Sequence, residues 1–297
     1  MKQDSNILII SKSEMIKSAL FNHLSAGGFT NVHRAEYLNP EDRPEYIFLT
    51  EWVGGILANI KFPAELMYNL TSLQLNVLEG ARKAGVKKLL FLGRSCVYPK
   101  NCPQPISEDH ILTGVLDPST EPSAIATLWG IKMCQFYNRQ YGTNYVVAIP
   151  TGAYGPNDDF NLETAHVLPA LIKRFHEAKK TSAKSVELWG SGTPKREWLY
   201  VDDLADALVY LMNNYDKPEI INIGVGDDIS IKDMAILIAE IEGYTGEILF
   251  DTSKPDGAMR KLLDNSRLKG LKWEPKISLE EGITRTYQWF CGEGGLS

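Results

Sequence analysis

The first 150 residues alternate between short apolar runs and longer helix-spaced stretches, and this alternation limits the fold more than any other feature. Residues 7–10 are a β-branched apolar run. Met15, Ile16, Ala19, Leu20 and Leu24 then recur at helical spacing, and Gly27-Gly28 supplies a stop. A second short strand is expected at 31–33 and a third at 46–50, followed by a helix over 64–84, a buried strand at 88–92, a helix over 123–141 and a strand at 145–149. Strands that alternate with helices form a parallel sheet covered on both faces. Only eleven residues, including Pro40 and Pro44, separate Arg34 from Tyr46. A crossover helix with its loops needs about a dozen or more, so the second βαβ unit is truncated.

Beyond Val167 the pattern is mixed: helices near 167–178, 203–214, 230–242 and 279–291, strands near 186–188, 219–223 and 247–250. The expected architecture is α/β. A Rossmann-like, doubly wound parallel sheet occupies residues 1–165, and a smaller interwoven lobe occupies 166–297, with segments returning to the first domain.

Of the 297 residues, 44% are hydrophobic and 23% charged, enough for a substantial core. A net charge of −6 without a dense Lys/Arg tract argues against nucleic acid as a partner. Cys96, Cys102, Cys134 and Cys291 lack metal-ligand spacing and are too few for a disulfide framework, so no metal and a reducing compartment are expected. The N-terminal apolar run is too short for a signal peptide, and no stretch approaches the roughly 20 apolar residues of a membrane span. A soluble, cytoplasmic protein with no membrane partner is the expectation.

The first strand-to-helix turn, Ser11-Lys-Ser-Glu-Met-Ile-Lys17, contains no glycine. Dinucleotide folds place glycines here so that a pyrophosphate can approach the backbone and the helix N-terminus. In this chain side chains fill that space, and Glu14 adds a negative charge. Lys12 and Lys17 leave open a phosphate held by charge alone.

Four segments carry more specific information: Leu89-Leu-Phe-Leu-Gly-Arg-Ser-Cys-Val-Tyr-Pro-Lys100, Glu121-Pro-Ser-Ala-Ile-Ala-Thr-Leu-Trp-Gly130, Pro150-Thr-Gly-Ala-Tyr-Gly-Pro156 and His166-Val-Leu-Pro-Ala-Leu-Ile-Lys-Arg174. In this order they closely resemble the GDP-L-fucose synthases, extended short-chain dehydrogenase/reductases that epimerise and then reduce GDP-4-keto-6-deoxymannose. The resemblance implies a glycine-rich first turn, absent here. It also implies a catalytic Tyr and, four residues on, a Lys; those positions are Ser123 and Thr127. Hydride addition to a ketone needs a proton for the developing alkoxide, and neither a serine hydroxyl nor an uncharged threonine replaces a Tyr activated by Lys. The expectation is therefore no cofactor, with NADP only as residual family binding, and no reductase step.

Epimerisation needs a base and an acid beside a keto group, and the residues that the family assigns to it remain as Cys96 and His166. The first Ser of the family's Ser-Ser-Cys is replaced in Arg94-Ser95-Cys96. Arg94 could stabilise an enolate, or fill the nicotinamide pocket and pair with Glu51. Arg174, Trp189, Arg196, Lys254, Asp256 and Arg260 match the family's GDP-sugar grip, in which arginine forks suit diphosphate and a Trp suits ring stacking. The resemblance thus implies a GDP-sugar ligand and a cofactor-independent 3- and/or 5-epimerase. The alternatives are a non-catalytic pseudoenzyme subunit or a residual NADPH-dependent synthase. It also implies a homodimer, or a heterodimer with a related synthase, through helices 64–84 and 123–141, with Leu66, Leu70, Leu73 and Val77 as apolar positions.

Overall fold

The structure is a computed structural model describing residues 1–39, 41–51, 56–254 and 256–294. The first half runs β1 (Ile7–Ser11), α1 (Glu14–Ala26), β2 (Val32–Ala35), β3 (Tyr46–Thr50), α2 (Ile56–Lys61), α3 (Pro63–Ala84), β4 (Lys88–Leu92), α4 (Glu121–Tyr141), β5 (Tyr145–Pro150) and β6 (Gly152–Tyr154). The second half runs α5 (Val167–Lys180), β7 (Ser185–Trp189), β8 (Lys195–Arg196), β9 (Trp198–Tyr200), α6 (Val201–Asn214), β10 (Ile221–Ile223), β11 (Ile229–Ser230), α7 (Ile231–Glu242), β12 (Glu247–Asp251), β13 (Arg260–Lys261), α8 (Ser266–Gly270) and α9 (Leu279–Trp289).

Six strands pair in parallel in the order β10-β5-β4-β3-β1-β2. All five residues of β1 and of β4 are buried, as a sheet covered on both faces requires. On one face Leu20 and Leu24 of α1 join Leu204 and Leu208 of α6 over Ile7, Ile9 and Leu90. On the other, Leu73, Val77 and Ile131 of α3 and α4 cover Ile10, Leu49 and Phe91. As expected, β2 leads to β3 with no helix among the described residues, and the two strands flank β1.

The later half of the chain returns to this sheet twice. Strand β10 adds an edge beside β5, with Ile221 opposite Ala148. Helix α6 is tied down by Lys88, whose buried Nζ donates to the carbonyls of Leu211 and Met212 at 3.1 and 2.7 Å and pairs with Asp216 at 2.9 Å, so that a cation closes a helix C-terminus. A separate core forms where α5, α7 and α9 meet, around Leu171, Phe175, Met234, Ile238 and Ile283. Among the described residues no helix is long and apolar enough to cross a membrane.

Candidate active site

The pairing of Thr50 with Leu92 makes Glu51 and Gly93 the next residues along neighbouring strands at the carboxyl edge of the sheet, where open α/β sheets place their sites. A Cβ on Gly93 would lie 2.6 Å from Ile149 Cδ1 and 3.0 Å from Thr127 Cγ2. Only a glycine lets the chain leave the sheet so close to α4. Arg94 is extended, and Ser95–Val97 then form a 3₁₀ turn that buries Val97 and leaves Ser95 and Cys96 half-buried. The loop is pinned from the far side, where the Tyr98 hydroxyl donates to Oδ1 of buried Asn222 at 2.5 Å.

Arg94 pairs with Glu51, its Nη2 lying 3.6 Å from Oε2 of the fully buried carboxylate. Gln74 Nε2 of α3 donates to the other carboxylate oxygen at 2.6 Å. The pairing expected of a pocket-filling arginine is thus present.

Ser123 and Thr127, one turn apart on α4, are both buried. Ser123 donates its hydroxyl to Asn59 Oδ1. The Thr127 hydroxyl has no hydrogen-bond partner among the described residues.

The second half of the chain supplies the other candidate residues. His166 precedes α5 and caps it without a side-chain hydrogen bond. Its side chain is open to water, but desolvation by the surrounding protein, and after it the charge of Arg94, lowers its pKa and favours the neutral imidazole. Burial raises the Cys96 thiol above the usual range, against the pull of Arg94 and Lys261. Lys261 was not among the expected site residues. Its neighbour in the β8–β13 pairing is Arg196, and burial holds the ammonium below the usual lysine range, with Cys96 opposing. Buried Glu197 sets this register by accepting from the backbone N–H of Gly226 at 2.7 Å and of Leu263 at 3.0 Å. Arg94, Cys96, His166, Lys261 and Arg196 therefore share one electrostatic neighbourhood.

The outer residues divide. Arg174 donates to the Glu187 carbonyl at 3.3 Å. Trp189 is 66% exposed, with Lys254 Nζ 5.7 Å from the ring centroid. Asp256 accepts from Ser191 N at 2.9 Å and Oγ at 2.7 Å, closing the loop after β7. Arg260 pairs with Asp228, on the opposite side of its strand from Lys261.

At the first turn, Ser11 Oγ accepts from Ser13 N at 3.0 Å and from Thr50 Oγ1 at 2.6 Å. Ser13 caps α1 by accepting from Ile16 N, and Glu14 opens the helix. Lys17 pairs with Glu14 at 2.7 Å, and Lys12 lies 5.2 Å from the Tyr37 ring. A cavity of about 280 Å³ lies alongside, lined by Glu14, Lys17, Arg34, Ala35 and Glu36. Ser13 thus takes one helix-terminal amide at 3.4 Å, and the carboxylate beside it is neutralised by Lys17.

Residues 6–224 match the NAD dependent epimerase/dehydratase family. The chain is 44% identical to the probable GDP-L-fucose synthase 1 of Oryza sativa subsp. japonica, over 96% of this chain and 91% of that one. It is 49% identical to the GDP-L-fucose synthase of Sinorhizobium fredii, over 86% and 81%. Among solved structures, a GDP-6-OMe-4-keto-L-xylo-heptose reductase from C. jejuni superposes with a TM-score of 0.91 at 33% identity, over 99% of both chains. A GDP-mannoheptose C4 reductase from Campylobacter jejuni with NADP bound gives 0.87 at 34%, over 98% and 99%.

These relatives overturn two expectations, a chain without a cofactor and an epimerase without a reductase step: the curated relatives are synthases, and the solved neighbours include reductases, one holding NADP. The chain belongs to the NAD dependent epimerase/dehydratase family, in its GDP-L-fucose synthase branch, and is an enzyme of the nucleotide-sugar epimerase type.

Proposed function

We propose that the chain acts on a GDP-linked 4-keto sugar, with Cys96 and His166 moving the protons at carbons beside the keto group. One observation carries this reading: the 3₁₀ turn after β4 and the start of α5 bring Cys96 and His166 under the common influence of Arg94. In the proton transfer the α C–H bond breaks, its electron pair moves into an enolate on the keto oxygen, and a proton returns to carbon from the opposite face. A neutral imidazole can accept and a thiol can donate, and these are the forms that the surroundings favour. Arg94 offers charge to the enolate oxygen, and Ser95 offers a hydroxyl beside it.

For the nucleotide, Arg196 and Lys261 are paired cations suited to a diphosphate, with Arg174 at the outer edge. Trp189 offers an open ring face for stacking, flanked by Lys254. Asp256 shapes the Ser191 loop, and Arg260 serves the lobe through Asp228. Ser123 and Thr127 are buried and uncharged, and no step is assigned to them. The outward apolar residues of α3 and α4, Tyr68, Leu75, Ile125 and Phe136, supply the face for a second copy or a related synthase.

The test incubates the full chain with GDP-4-keto-6-deoxymannose and NADPH in D2O, following deuterium at the carbons flanking the keto group by mass spectrometry and NADPH by absorbance. Exchange is expected, reduced about 10²- to 10⁴-fold in a Cys96→Ser/His166→Ala double variant. Absence of exchange, or full exchange in the double variant, would sink the assignment. The NADPH trace measures reduction separately.

A further inference from the structure

Glu51 and Arg94 form a buried ion pair that the fold does not require. A buried pair seldom adds stability over apolar residues of similar size, because desolvation offsets attraction. This one is also poorly bonded: at 3.6 Å it is a charge contact, and Glu51 Oε2 and both Arg94 Nη atoms have no hydrogen-bond partner among the described residues. Gln74 Nε2 nevertheless anchors the carboxylate at 2.6 Å, and a Cβ on Gly130 would come within 2.8 Å of Gln74 Oε1, so α4 leaves room for this arrangement. Burial raises the Glu51 pKa, and the Arg94 charge and the Gln74 N–H oppose it, so the anion depends on these two partners while the guanidinium is held by charge alone.

The location suggests the purpose. Glu51 directly follows β3, Arg94 lies just beyond β4, and Cys96 is two residues on, in the turn that Arg94 caps. The charged groups around Cys96 are Arg94, Lys261 and Glu51, and those around His166 are Arg94 and Asp159. Arg94 is the cation common to both. Left without a counter-ion, its charge would draw Cys96 toward the thiolate and leave the site short of a proton to return.

We infer that Glu51, anchored by Gln74, is a positioning residue that holds the Arg94 guanidinium toward the sheet and so keeps Cys96 a thiol. The inference rests on Cys96 and His166 as the proton-transfer pair.

The experiment measures iodoacetamide alkylation of the full chain across pH, resolved for each cysteine by mass spectrometry. Relative to wild type, Glu51→Gln is expected to speed alkylation of Cys96 at neutral pH by about an order of magnitude, leaving Cys102, Cys134 and Cys291 unchanged. Adding Arg94→Met, which leaves no orphaned charge, should return the Cys96 rate to the wild-type value or below, and Arg94→Lys in the Glu51→Gln background should keep it fast. An unchanged Cys96 rate in Glu51→Gln overturns the inference. So does acceleration that persists with Arg94→Met or extends to buried Cys134, which would report loosening instead of charge. Deuterium exchange by wild type in the sugar assay separates the two claims: its absence rejects the proton-transfer pair, whereas the thiol result speaks only to Glu51.

Discussion

Glu242 ends α7 with 1% of its surface exposed, and neither carboxylate oxygen has a hydrogen-bond partner among the described residues. Burial raises its pKa from 4.5 to about 9, against Lys179, whose Nζ donates to the Glu242 carbonyl at 2.6 Å. The folded chain thus keeps a proton that the unfolded chain releases above the ordinary carboxylate range. Stability contributed by this group is complete below about pH 4.5 and is lost as pH rises toward about 9. Glu242→Gln is therefore expected to match wild type near the low end and to exceed it by up to about 6 kcal/mol near the high end, measured by urea unfolding across pH. At the same scale, the sequence named Cys96, His166, Arg94 and Arg196, and the structure sets them in one neighbourhood. Lys261 escaped notice because in a strand of two residues no alternation separates the inward lysine from the outward Arg260.

Elements long enough to show a period were legible. Residues 46–50 and 88–92 are strands as expected, and the helices over 64–84 and 123–141 begin one and two residues earlier. Strands β6, β8, β9, β11 and β13, of two or three residues each, carry no periodic signal; long-range pairing creates them, as Glu197 does for β8 and β13. The apolar series on α3 was read correctly as a face but assigned to the wrong side: Leu70, Leu73 and Val77 are buried, Leu66 is half-buried, and Tyr68 and Leu75 point outward. Packing of α4 supplies the element-scale prediction. A Cβ on Gly130 would meet Phe91 and Gln74 at 2.8 Å. Gly130→Ala, despite its better helix propensity, should lower stability by about 1–3 kcal/mol in urea unfolding, because a buried sheet cannot move away.

For the whole molecule, Tyr68 and Leu75 of α3 and Ile125 and Phe136 of α4 form the exposed apolar set proposed for assembly. If a second copy covers them, a Leu75→Glu/Phe136→Glu variant should run as a monomer by size-exclusion light scattering at concentrations where wild type is dimeric, with unchanged circular dichroism. A dimeric variant would remove this face from the assembly. The sequence by itself determined a parallel sheet between helices, a shortened second unit and the family, because hydrophobic period and local motifs are properties of neighbouring residues. Only the tertiary structure decided that Lys261 lies beside Arg196 while Arg260 turns to Asp228, that Glu51 pairs with Arg94, and that α6 and β10 join the six-stranded sheet. Those contacts join residues tens to more than a hundred positions apart, and they are set by strand register and burial, which no local stretch of chain encodes.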